Sequence, residues 1–238
     1  MYLPPHFAES RRDVLHAAID AHPLSTLVSQ TPREGGVDVE ADHLPLLLRP
    51  DVGEFGALHG HVARGNPLWR AHPPTAEVLA VFHGPAAYVS PGAYPAKKEH
   101  GRVVPTWNYI VVHARGRLRV MDDAAWKRRL LTDLTARHEQ REATPWVMSD
   151  APAEYIQQMV MGVVGIEIEI RALIGKWKLS QNHGTENRAG VIAQLAARDD
   201  PAARELAARM RVRDYFVDLR EQREHREQRI AREKRGEG

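Results

Sequence analysis

Apolar and polar positions along this chain change period several times, and each change marks an element. A Pro-rich opening hexapeptide gives way to helical spacing from about Ser10, the N-cap candidate, to Ala21. The period then drops towards two. Leu24–Ser29, Leu44–Leu48, Ala57–Arg64, Glu77–Val89 and Trp107–Val120 are short strand-like runs separated by Gly, Pro or Asp clusters. Helical spacing returns after Asp122, the expected cap, with Trp126, Leu130 and Leu134 on one stripe ending near Glu139. Pro145 to Ala151 reads as loop and Ala153–Val160 as a second helical segment. Val163–Glu169 then alternates strictly: Val164, Ile166, Ile168 and Ile170 fall on one face, and Val163, Gly165, Glu167 and Glu169 on the other. One apolar face predicts a half-buried strand, continuing toward Lys178 and rejoining the earlier strands, since a lone strand leaves its backbone groups unpaired. Two more helices are expected over 185–198 and 201–217.

Several short strands with Pro/Gly turns, and no helix between them long enough for a parallel crossover, predict a mainly β chain with α additions, built as an antiparallel barrel or sandwich. The expected division is a barrel with inserted helices over residues 1–182, followed by C-terminal helices and a charged tail over 183–238. In the tail, Glu221, Glu224, Glu227 and Glu233 interleave with arginines at helical spacing. That pattern reads as a solvated, salt-bridged helix or a frayed tail, and its mixed charge gives only a weak field for nucleic acid.

Composition narrows the classes further. The chain has 238 residues and no cysteine, which excludes disulfides, thiolate metal sites and a cysteine nucleophile. A net charge of +2 makes the whole molecule no polyelectrolyte partner. No basic leader and no long apolar window stand out, so a cytoplasmic protein without membrane spans is expected. There is no Gly-rich phosphate loop, GxSxG elbow or paired-carboxylate motif, so hydrolase and kinase chemistry have no visible nucleophile or base.

Four constellations carry candidate chemistry. In Leu58–Arg64, Gly60 in a strand interior marks close approach by a ligand or another backbone. Arg64, on the same face, either meets a phosphate with its bidentate fork or is a surface arginine beside a bulge. His59 and His61 have the spacing of paired imidazole ligands, with His83 or His113 as a third, or they hydrogen-bond at an interface. Tyr88 and Ser90 follow the break at His83-Gly84-Pro85 and point one way, supplying hydroxyls at a barrel rim. In Val104–Tyr109, Thr106 and Asn108 share one face, and Trp107 and Tyr109 the other. A flat heteroaromatic ring could stack on the indole there, or the rings belong to a dimer interface. Lys176 and Lys178 flank Trp177 and lead into Ser180-Gln181-Asn182. They either snorkel to solvent or form a donor-rich loop for an anionic ligand.

Met1–Phe7, His59–Pro67, Phe82–Pro85 with Tyr88–Pro91, Val104–Tyr109 with His113, and Gly175–Asn182 followed by Asn187–Val191 together resemble the PaiB-like family of FMN-binding negative transcriptional regulators. The resemblance spans most of residues 1–192. It implies a six-stranded antiparallel FMN-binding split barrel of the pyridoxamine-phosphate-oxidase type, working as a homodimer with flavin at the subunit interface. The expected cofactor site is His59, Gly60, His61, Arg64, Tyr88, Ser90, Trp107, Asn108, Lys178 and Gln181: Arg64 meets the phosphate, since a dianion at a dimer cleft needs an Arg or Lys, Gly60 allows close approach, Ser90 donates, and Lys178 and Gln181 arrive from the partner subunit. On that expectation Arg64→Ala weakens FMN binding and leaves the fold intact. Ala86, Ala93 and His183 depart from the family's pattern, which expects a bulky residue, a Trp and a cation there. DNA is the expected partner of a regulator, although no helix-turn-helix signature on a basic helix is present. The alternatives are a flavin-dependent oxidoreductase or flavin reductase, and a haem- or metal-binding enzyme using the histidines.

Overall fold

The computed structural model describes residues 1–212. In chain order the elements are β1 (Ala8–Glu9), α1 (Arg12–Ala21), β2 (Leu24–Arg33), β3 (Gly36–Pro45), β4 (Leu47–Arg49), β5 (Ala57–Ala63), α2 (Leu68–Ala71), β6 (Glu77–Val89), α3 (Ala96–Glu99), β7 (Thr106–Met121), α4 (Ala124–Glu139), α5 (Ala153–Met161), β8 (Val163–Lys178) and α6 (Thr185–Ala196). Residues 201–212 are helical. The rest of the helix expected over 201–217, and the charged run beyond it, lie outside the described residues. No helix among the described residues is long and apolar enough to cross a membrane.

Eight strands rather than six make up the sheet among the described residues, in the order β3-β2-β6-β7-β8-β5-β4 with β1 paired to β8. The sheet is not closed: β3 and β4 end the path. The extra strands are those with no apolar alternation to announce them. β3 carries Asp38, Glu40 and Asp42 and is exposed over most of its length. It forms because β2 pairs with it residue by residue from Leu24↔Pro45 to Arg33↔Gly36, with Gly35 at φ 77° in the turn between them. The segment read as one strand, Leu44–Leu48, is instead the end of β3 and the start of β4.

β8 follows its sequence pattern. Val164, Ile166 and Ile168 are fully buried, and Glu167 and Glu169 are half-buried on the other face. Two expected caps move. The N-cap of α4 is Asp123, not Asp122: its carboxylate accepts from Trp126 N at 2.7 Å. That of α1 is Arg11, not Ser10, and the Glu9 carboxylate accepts from Arg11 N at 3.0 Å. Leu130 and Leu134 of α4 are buried as the stripe predicts, and Trp126 lies on Gly165, where a Cβ would meet the indole at 2.3 Å.

The chain forms two compact units, each assembled from separated stretches. One holds Met1–Phe7, Pro85–Ile110 and the described residues from Trp177 onward; the other holds Ala8–Gly84 and Val111–Lys176. The first is called the C-terminal unit below and the second the sheet unit. The core of the C-terminal unit includes Val191, Ile192 and Leu195 of α6 with Leu206 and Met210 of the last helical stretch.

Candidate functional site

In the C-terminal unit the start of β7 and the end of β8 bring the two tryptophan-centred segments together. The Lys178 ammonium donates to the Thr106 hydroxyl and to Trp107 O, the latter at 2.6 Å. Behind them Asn108 is fully buried. Its Nδ2 donates to Ser180 Oγ at 3.0 Å, and that hydroxyl faces Asn108 Oδ1 at 3.3 Å. Ser180 takes a left-handed backbone, φ 62°, so the chain turns sharply as it leaves β8. Gln181 braces that turn with both ends of its amide: Oε1 accepts from Leu179 N at 2.6 Å and Nε2 donates to Trp177 O at 2.5 Å. Val104, Pro105, Thr106, Asn108, Lys178, Ser180, Asn182 and His183 line a cavity of about 190 Å³.

Beside this cavity's wall two rings stand out to solvent. Trp107 is 56% exposed and Tyr88 42%, with centroids 6.1 Å apart at 67°. Ser90 caps the short 3-10 turn that follows β6, accepting from Gly92 N at 3.3 Å. Tyr94 is buried and tilts against the His183 ring at 4.9 Å. Burial pushes its phenol up, and the nearby Ser180 hydroxyl partly offsets this without a well-aligned hydrogen bond. Burial likewise holds the His183 imidazole below its ordinary value, with Lys178 adding to the effect. Tyr94 escaped the sequence reading. Ser180 had only its place in the donor-rich loop, and Thr106 its spacing from Asn108.

His59, Gly60, His61 and Arg64 lie in the sheet unit, apart from this group in the chain's organisation. Gly60 accommodates packing: a Cβ there would come within 2.5 Å of the buried Leu46 side chain. His59 Nε2 contacts Glu167 Oε2 at 2.9 Å, and Arg49 Nε reaches His59 Nδ1 at 3.4 Å. Both ring nitrogens are therefore engaged, with Nδ1 accepting and Nε2 donating. Burial lowers the His59 and His61 pKa values, at His59 against the opposing pull of Glu167. His61 Nδ1 is buried without a partner among the described residues. Among those residues no group of three or more His, Asp or Glu is placed to hold a metal.

Arg64 is already engaged. Its guanidinium donates to both Asp122 oxygens at 2.6 and 3.0 Å, to Met161 O at 2.7 Å and to Val163 O at 3.1 Å. It thus closes the junction between α5 and β8. The buried Lys127 shares the same carboxylate at 2.8 Å. These cations hold the Asp122 carboxyl far below the usual carboxylate range, Arg64 contributing most.

The donor set of the C-terminal unit fits a flavin. An ammonium, hydroxyls and amides surround the cavity, and an exposed indole stands beside it for a planar ring. A family model described as "Putative FMN-binding domain" matches residues 1–172. An uncharacterized protein of Emericella nidulans is 32% identical over 224 residues, covering 81% of this chain and 89% of that protein. The protease synthase and sporulation protein PAI 2 of Bacillus subtilis is 29% identical over 212 residues, covering 88% and 96%. Among solved structures the flavocytochrome Anf3 of Azotobacter vinelandii shares the fold, with a TM-score of 0.50 at 14% identity over 77% of this chain and 75% of that one. The chain belongs to this family of FMN-binding domains, of the PaiB-like type, and FMN is its cofactor.

Proposed function

We propose that the chain is a flavin-dependent transcriptional regulator acting as a homodimer, with FMN held against the wall formed by Thr106, Trp107, Asn108 and Lys178. The observation that carries the reading is the pairing of a small polar cavity with an exposed aromatic pair. Small-molecule sites usually span about 300–1,000 Å³, and the cavity here is about 190 Å³. It has room for the phosphate-bearing end of FMN, while Trp107 and Tyr88 offer an uncovered surface for the ring. A second copy of the chain would complete the enclosure. Lys178 is the cation assigned to the phosphate. Asn108 and Ser180 fix the wall and Gln181 keeps the loop in register, whereas Arg64 belongs to the frame of the sheet unit. Bound FMN supplies a redox-active ring. Kinship with a protein named for protease synthesis and sporulation supports control of expression over a metabolic reaction.

Titration of the apoprotein with FMN, followed by flavin fluorescence, tests the site. Lys178→Met weakens binding about ten- to a hundredfold, the factor expected from a charge-assisted bond of about 1.5–3 kcal/mol. Trp107→Ala weakens it as well and leaves melting unchanged, since the indole is mostly exposed. Unchanged affinity in both variants removes FMN from this wall. Sedimentation at micromolar protein yields a dimer mass. Steady consumption of NAD(P)H by the loaded protein would favour an oxidoreductase instead.

A further inference from the structure

The outer face of the sheet unit carries a row of cations that the flavin reading does not use. Along β7, Ala114, Gly116 and Leu118 point inward and are buried, so His113, Arg115, Arg117 and Arg119 share the opposite face. Successive members of the row stand about 6.8 Å apart. The three arginines are exposed. Arg119 reaches across to β8, pairing with Glu169 at 2.7 Å and Glu167 at 3.6 Å, which puts those β8 positions on the same face. The next β8 position on that face is Arg171, also exposed. Among the described residues Arg115, Arg117 and Arg171 have no carboxylate partner. A groove lined by Gln30 of β2, Glu77 and Leu79 of β6, and Arg115 adjoins the row on the side away from β8.

We infer that this face is a docking surface for the sugar-phosphate backbone of duplex DNA, an inference that rests on the regulator reading above. Arg115 and Arg117, about 6.8 Å apart on β7, and Arg171 on β8 form an electrostatic footprint for phosphates, each offering the bidentate geometry a phosphate accepts, while Arg119 is held by Glu169 and Glu167. A second copy of this chain is a poor occupant, because a two-fold contact through the face would set arginine against arginine. Backbone contacts of this kind orient a duplex without reading its sequence. Glu77 is the carboxylate on the groove and opposes such a ligand.

The test is fluorescence anisotropy of a labelled mixed-sequence DNA duplex with the full FMN-loaded chain at several salt concentrations. Three phosphate contacts give a log–log salt slope of about −2.7, a loss of about 40-fold in affinity between about 50 and 200 mM salt. R115Q/R117Q flattens the slope to about −0.9 and the loss to about fourfold, and Glu77→Gln strengthens binding. R128Q/R129Q, which removes two exposed arginines from α4 and so changes net charge equally, keeps the wild-type slope. Flavin titration and melting of each variant remain at wild-type values. If R115Q/R117Q keeps the wild-type slope while the wild type binds DNA, the surface is wrong and the regulator reading stands. If the wild type binds no duplex, or binds anionic phospholipid vesicles instead, both fail.

Discussion

Lys127 shows how a single side chain can contradict its own residue type. It falls at helical spacing before Leu130 and Leu134, and its side chain is only 2% exposed. Its ammonium meets Asp122 at 2.8 Å and Val163 O at 3.2 Å. A buried cation persists only with such partners. Asp122→Asn leaves the buried Lys127 without its counter-charge, with only Val163 O still accepting from it, and leaves Arg64 held by carbonyls alone. The loss of stability therefore exceeds the roughly 1 kcal/mol of an ordinary surface pair, and chemical denaturation measures it. The pH dependence follows from the depressed carboxyl. Its stabilisation is fully present above the ordinary carboxylate pKa and is lost as pH falls below it. The melting temperature of Asp122→Asn therefore changes less than that of the wild type below about pH 4. Gly190 is a second case: a Cβ there would lie 2.1 Å from Ala93 O. Gly190→Ala must push α6 away from the turn at Pro91–Ala93, at a cost of about 1–3 kcal/mol, visible in thermal melting. Neither residue reveals its role by type or spacing, because Gly190 answers to Ala93 and Lys127 to Val163 as well as to the nearby Asp122.

Elements with a periodic apolar face were legible; those held by a neighbour were not. β8, β6 and α4 stand close to where alternation and helical stripes put them, since burying a continuous face is what forms them. β3 is acidic and exposed, and only its ladder with β2 makes it a strand. The cap of α4 illustrates a finer limit. Asp122 and Asp123 are equally good N-caps by type. The choice falls to Asp123 because Arg64 and Lys127 engage Asp122. Asp123→Ala costs about 1 kcal/mol, the usual value of an N-cap, read as a shift of the denaturation midpoint.

For the whole molecule, acid sensitivity has a common source in desolvated imidazoles. Burial lowers the pKa of His59, His61, His113 and His183. A lowered folded-state value means the unfolded chain binds the proton more readily. Stability is then present above the ordinary histidine range and declines as pH falls from about 7 to 5. His61→Gln reduces that decline in melting experiments across the same window. The sequence by itself determined a mainly β antiparallel class, the strong periodic elements and kinship with an FMN-binding family, because hydrophobic period and clustered motifs are local properties. It also named Thr106, Trp107, Asn108 and Lys178, the wall proposed above for the flavin. Tertiary structure decided how many strands join the sheet and whether it closes, since edge pairing depends on backbone partners and not on side-chain pattern. It likewise decided which cations are engaged: Arg64 looks like an anion-binding arginine from its neighbours in sequence, yet Asp122, 58 positions along the chain, holds it. Electrostatic partnership is set by distance in space, which a linear chain does not display.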